Sequence, residues 1–338
     1  MQRDHYFDNV KFLLVTLVVL GHMCFGPIMY RSHLFDALYS FIYLFHMPLF
    51  VFIAGYFSKN VQSDNYVKKI VTNVVIPYIF FEIAFTVFDY FIFEKKALVF
   101  RFFNPYYALW FLLSLAVWKF VLPHVIKFKY PLLFSALLAI IIGYDNDVGT
   151  FLSLSRTIVF LPFFLAGYYA DGRLISKVKS RPAIIASCIV LLGVFLFIYQ
   201  NYHSINKELL LGSDPYDQVN IKEWYAGGYR LLALSITAVV SLAVLAIVPK
   251  RKIFLISEFG MRTMYPFLFH GFLVKYLNKI EFQKAIDTPL EKILWILFCI
   301  AFTMVLSSKT FHRIVKGIVE PRFTWIFKDK QQTSTRSM

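Results

Sequence analysis

Four ionisable side chains sit inside apolar stretches of this chain: His22, His46, Glu82 and His270. An ionisable group in hydrocarbon is costly on every scale, so each must pair, face a wet cavity or do chemistry. Histidine is the side chain that exchanges protons near neutral pH, and a carboxylate beside it orients the ring. Each residue also has a plainer role. A neutral histidine can donate to a backbone carbonyl and join two helices. Glu82 can be a protonated structural acid. A shared depth argues for chemistry, because all four fall near the middle of their expected spans. Asp89 and Arg156 stand nearer the outer ends of theirs. Arg156 has the further option of snorkelling to the surface.

The first of these residues carries the sharpest pattern. Asp8, Lys11 and His22 occur as Phe7-Asp8-Asn9-Val10-Lys11, ten residues, then His22. On a helix, eleven residues are about three turns and about 16 Å, so Lys11 and His22 share a face at different depths. A cation at the mouth with a base below it suits a ligand that enters phosphate-first from the cytoplasm. Gly21 removes a side chain beside the base, so another backbone or a ligand can approach.

The elements that must position these groups are transmembrane helices. The chain has 338 residues, of which 59% are hydrophobic and 16% charged, with a mean hydropathy of +0.62. A soluble domain carries about 25% charged residues. A soluble enzyme, a secreted module and a disordered chain are therefore excluded. Apolar windows at 12–29, 38–57, 70–93, 106–122, 130–144, 155–170, 183–199, 229–248, 263–277 and 290–306 predict an all-α polytopic membrane protein of about ten spans, without a soluble domain. The fifth and ninth windows are short. The longest loop, 200–228, is polar enough to hold a short interfacial helix. With the N-terminus cytoplasmic, about two-thirds of the 35 Lys and Arg fall on the inner side, as the positive-inside rule requires. Both termini are then cytoplasmic, in a multi-pass protein of the cell membrane. The net charge of +15 follows from those loops and does not call for nucleic acid. Residues 1–310 read as the membrane domain and 311–338 as a basic cytoplasmic tail, amphipathic against the inner leaflet or simply solvated. No signal-peptide cleavage site follows the first apolar run. Cys24, Cys188 and Cys299 lie far apart and show neither metal spacing nor a disulfide framework, and no metal is expected.

At these same residues the chain resembles the membrane acyltransferase-3 family, in its branch similar to fucose 4-O-acetylases. The likeness lies in the Lys11–His22 spacing and four further stretches. These are Phe45-His46-Met47-Pro48-Leu49-Phe50 leading to Ala54-Gly55-Tyr56; Leu109-Trp110-Phe111-Leu112; Arg156-Thr157 leading to Phe160-Leu161-Pro162 and Ala166-Gly167-Tyr168; and Leu268-Phe269-His270-Gly271. The family more often has arginine at the position of Lys11, so the charge is kept here without the bidentate fork.

The resemblance implies O-acetylation of a carbohydrate hydroxyl with acetyl-CoA as donor. His22 is then the general base, and His46 or His270 donates to the thioester oxyanion. Glu82 would orient one of these rings, and Lys11 with Asp8 would meet the donor. Arg156 and Trp110 would meet the acceptor, a lipid-linked or growing polysaccharide. Trp110 alternatively belongs to an interfacial aromatic belt. A proton-coupled transporter or polysaccharide exporter is the rival reading, since midplane ionisable groups serve carriers too. The absence of an internal repeat speaks against it. The sequence sets no oligomeric state.

Overall fold

A computed structural model describes residues 4–24, 32–148 and 151–320. Among them there are helices and no strands. Ten helices stand where the apolar windows predict them. They are α1 (His5–Met23), α2 (His33–Tyr56), α3 (Tyr66–Ile92), α4 (Tyr107–Val125), α5 (Pro131–Tyr144), α6 (Phe151–Tyr169), α7 (Arg181–Gln200), α8 (Ala226–Ile247), α9 (Met264–Lys279) and α10 (Pro289–Leu306). Eight are long and apolar enough to cross a membrane; α5 and α9 are the short pair. In lipid every backbone polar group must be satisfied within the segment, which is why so apolar a chain folds as helices. The termini are capped by side chains. Asp4 accepts from the Tyr6 N–H at α1, Ser180 from that of Ala183 at α7, and Thr288 and Glu291 form a capping box at α10.

The first helix differs from its expected window. It begins at His5, seven residues early, because Asp4 caps it there, and it reaches only Met23. His22 therefore lies in its last turn and not at mid-helix. The expected end near Met29 lies outside the described residues. His46, Glu82 and His270 do fall well inside α2, α3 and α9. In the loop between α7 and α8 a short helix, Lys207–Leu211, is capped by Asn206.

Helix α1 is the hub. Most of its apolar window (72%) is buried inside the protein, against 11% for α7, which stands at the periphery. Two glycines set the closest crossing. A Cβ on Gly55 of α2 would lie 1.9 Å from the Phe164 carbonyl oxygen, and one on Gly167 of α6 would lie 1.9 Å from that of Phe52. The Ala-Gly-Tyr motifs are thus a reciprocal backbone contact, which membrane helices build from small residues. Thr157 ties α6 to α4 through its hydroxyl contact with Ser114 (2.6 Å) and its carbonyl, which accepts from Trp118 Nε1 at 2.7 Å.

The start of α1 is stapled to the segment before α9. Asn9 Nδ2 donates to the carbonyls of Pro249 (2.9 Å) and Arg251 (3.0 Å), and its Oδ1 accepts from Ser257 at 2.6 Å. Cys24 and Cys299, distant in sequence, meet with their sulfurs 3.3 Å apart as buried free thiols. Beyond α10, helix α11 (Lys309–Val319) is amphipathic. It buries Val315 and Val319, rests Phe311 on Phe269, and pairs Lys309 with Glu258 at 2.9 Å. Residues 321–338 of the expected tail lie outside the described residues.

Candidate active site

The end of α1, the middle of α2 and the first turns of α4, α6 and α9 converge on one cavity of about 450 Å³, which His270 backs through His22 without lining it. His22, His46, Tyr43, Tyr107, Trp110 and Arg156 line it. The α2 face is built by helical spacing: Tyr39, Tyr43, His46 and Met47 recur at i, i+4, i+7 and i+8 and all reach the cavity. Gly21 admits a side chain, where a backbone or a ligand was expected. A Cβ there would come within 3.0 Å of the Tyr43 ring, so the glycine lets that ring close on α1 beside the base.

His22 and His270 form the centre. Their rings are nearly parallel, 6° apart, with His22 Nδ1 3.0 Å from His270 Nε2. His270 is fully buried, and its Nδ1 lies 2.8 Å from the Pro266 carbonyl oxygen. A carbonyl only accepts, so Nδ1 of His270 carries the hydrogen. With both rings neutral, His270 Nε2 is then an acceptor, and His22 Nδ1 must be the donor to it. The lone pair of His22 is left on Nε2. This chain of bonds fixes one tautomer of His22 and leaves its basic nitrogen without a hydrogen bond among the described residues. The Tyr107 ring covers it at 4.6 Å between centroids.

His46 is buried and turned another way. Its Nδ1 lies 2.8 Å from the Ile42 carbonyl one turn back and so carries a hydrogen. A neutral His46 offers the cavity an acceptor at Nε2 and no N–H. Arg156 does not snorkel away from the site. Its guanidinium carbon lies 5.1 Å from the centre of the Trp110 ring, and both side chains line the cavity.

Glu82 is not among the cavity-lining residues. It is 1% exposed, and its Oε1 accepts the backbone N–H of Tyr106 at 2.7 Å. Asp89, two turns further along α3, pairs with Lys95 at 2.8 Å and Lys275 at 2.9 Å. The Lys275 ammonium also sits 4.7 Å from the centre of the Tyr106 ring. The acidic face of α3 thus grips the turn that carries Tyr107. Tyr107 itself takes a left-handed backbone, φ 45°, which is uncommon for a bulky residue.

Lys11 and Asp8 lie at the other end of α1 as an ion pair of 2.9 Å. Lys11 lines a second, narrower slot of about 190 Å³ with Phe111, Asn73, Thr263 and Phe267. Asn73 comes from a π-helical turn, Val71–Val75, a distortion frequent at functional positions. Phe267 lines both the slot and the histidine cavity. Of the aromatic group around His22, Tyr107 falls in the aromatic stretch 106–111 that the sequence offers for stacking on a sugar, and Tyr43 is the residue the sequence reading missed. Tyr43 was findable by its spacing of three from His46, whereas the reach of Tyr107 depends on a turn. Among the described residues no three His, Cys, Asp or Glu side chains gather as a metal site.

Comparison with known proteins adds three findings. A family model described as an acyltransferase domain matches residues 4–309. The nodulation protein NolL of Mesorhizobium japonicum is 42% identical over 59 residues, which are 17% of this chain and 16% of that protein. NolL of Sinorhizobium fredii is 43% identical over 60 residues, with the same two shares. The likeness thus spans about a sixth of the length of these relatives. No solved structure matches.

Proposed function

We propose a reaction for this chain from the premise that it belongs to the acyltransferase-3 family: transfer of an acetyl group from acetyl-CoA to a carbohydrate hydroxyl, with His22 as general base. The observation that carries the proposal is the His270–His22 hydrogen-bond chain, which leaves one basic nitrogen facing a cavity. The acceptor hydroxyl gives its proton to His22 Nε2 as its oxygen attacks the thioester carbonyl carbon. The tetrahedral intermediate collapses, the carbon–sulfur bond breaks, and the proton on Nε2 passes to the departing sulfur. The products are the acetyl ester and free CoA thiol. His270 is a positioning residue here, holding the His22 tautomer as a buried acid does in hydrolytic triads.

The oxyanion needs a donor. Neutral His46 and His270 spend their N–H groups on backbone carbonyls. The permanently charged Arg156 is the donor we favour, and Trp110 holds its guanidinium in place. Glu82 acts at one remove, through the turn that sets Tyr107 over His22.

Acetyl-CoA is a substrate whose slender thioester arm fits the apolar slot from Lys11 to Phe267. Lys11 marks its mouth, and the Asp8 carboxylate sets the ammonium's direction. The loop-charge asymmetry supports a cytoplasmic side for that mouth, both termini and the donor. The acceptor then reaches the cavity from the opposite end. The likeness of five motifs to the fucose 4-O-acetylase branch supports acetyl as the group and a sugar as the acceptor. Mass spectrometry of envelope glycans from cells with and without the gene tests the proposal. Loss of an O-acetyl group with the gene is expected. Unchanged acetylation of every envelope glycan would overturn it.

A further inference from the structure

A second cavity lies beside the first. It is an apolar groove of about 770 Å³ between α7 and α8, at the C-terminal end of one and the N-terminal end of the other. Val194, Phe197 and Ile198 of α7 face Leu232, Ala233 and Ile236 of α8 across it. Its polar residues are at one end only, where Ser204, Asn206, Asn220 and Glu223 belong to the loop that roofs it. The groove is continuous with the histidine cavity in one respect that decides its meaning. Leu210, on the short helix Lys207–Leu211, lines both. Leu210 is thus a wall shared by the apolar groove and the cavity lined by His22 and Arg156. The groove is on the periphery, since α7 is the least enclosed of the long helices.

We infer that this groove seats the hydrocarbon tail of a lipid-linked saccharide, whose sugar head passes Leu210 into the histidine cavity. The inference deepens the acyl-transfer reading and rests on it. An amphiphile with one long chain matches the composition: an apolar floor, a polar rim and a polar chamber next to it. A free sugar would have no use for the floor. A bilayer phospholipid would have no use for the chamber. Holding the tail also explains how a dilute acceptor stays at the site, because a tethered head group meets the base at a high effective concentration.

Gly193 supplies the test. It lines the groove, and a Cβ placed on it meets nothing within 4 Å, so a large side chain there fills the groove without disturbing the fold. The purified protein, in nanodiscs and without acetyl-CoA, is exposed to dodecyl glycosides of glucose, galactose and fucose carrying a mid-chain diazirine. Dodecylphosphocholine with the same diazirine chain is the comparison. After photolysis, at least one glycoside should label Val194, Ile198 or Leu210 more than the phosphocholine does. Gly193→Trp should cut that labelling about tenfold, which equals the loss of about two buried methylenes. Leu232→Trp, on the exposed wall of the groove, should do the same. Equal labelling by phosphocholine would mean a bilayer lipid occupies the groove, and labelling indifferent to both tryptophans would mean surface contact; either result overturns the inference. Failure of the acyl-transfer reading has a different signature, absence of labelled acetyl transfer by the wild type to any glycoside, wherever the probe reacts.

Discussion

At the scale of single residues, the account turns on which nitrogen of which histidine holds a hydrogen. His270→Leu removes the acceptor that fixes His22, and His270→Gln keeps an amide oxygen near the place of Nε2. We expect His270→Leu to lower kcat by about tenfold to a hundredfold, the worth of one hydrogen bond to a base that becomes charged, about 1.5–3 kcal/mol. His270→Gln should retain clearly more. Steady-state rates of labelled acetyl transfer at matched protein levels check the order, and equal loss in both would leave His270 without a positioning role. Lys11→Ala should raise the KM for acetyl-CoA more than it lowers kcat, since Lys11 sits in the slot and about three helical turns from the base. Lys11→Arg should be mild because the charge is kept. An unchanged donor KM in Lys11→Ala would reduce the residue to a partner of Asp8. The histidines and Arg156 stood out in the sequence because ionisable residues are rare in apolar helices, whereas Trp110 was offered by a motif of the family and by its place among aromatics. Their orientation was not. Periodicity places His46 on the right face, but only coordinates show its N–H turned to the Ile42 carbonyl. Glu82 stood out for the same reason as the histidines. Its partner, a backbone N–H 24 residues away, is set by a turn that no spacing rule describes.

At the scale of elements, the motifs divide into chemistry and carpentry. The glycines of the two Ala-Gly-Tyr motifs place α2 and α6 in backbone contact, and those helices carry His46 and Arg156 to the cavity. Gly55→Leu should therefore force the helices apart at a cost of about 1–3 kcal/mol, the range for overpacking. Thermal unfolding of purified protein should show a lowered midpoint together with lost transfer. A normal midpoint would mean the crossing is looser than the 1.9 Å approach implies. Asn9→Ala should release the segment after α8 from α1 and lower stability without touching the cavity, because all its bonds go to Pro249, Arg251 and Ser257. The existence of all ten helices was readable from apolar windows, including the shortness of α5 and α9. The start of α1 was not, because Tyr6 and Phe7 are followed by Asp8 and Asn9, which look like a polar terminus. Those two groups are buried by the segment folded over them, a tertiary contact that hydropathy cannot register.

At the scale of the whole molecule, the slot at Lys11 shares Phe267 with the cavity at His22, and that cavity shares Leu210 with the apolar groove. In the proposed reaction these shared walls would give donor and acceptor separate routes to His22, which requires α1 to run from the cytoplasm outward. Reporter fusions at Lys179 should accordingly read cytoplasmic and a fusion at Ser213 external; a cytoplasmic signal at Ser213 would reverse the assignment of the two routes. The alternation of loop charge is the ground for this topology, and it needs only span positions and Lys and Arg counts. The connected cavities were not legible, because they depend on which of many similar apolar faces meet. The central claim is that His22 Nε2 takes the acceptor proton. Its most direct test is the rate of labelled acetyl transfer from acetyl-CoA to glycan acceptor in proteoliposomes holding equal amounts of wild type or His22→Ala. The account predicts a loss of 10²–10⁴-fold in the variant, the range for removing a general base, with donor KM little changed. Near-normal transfer by a well-folded His22→Ala protein would contradict it.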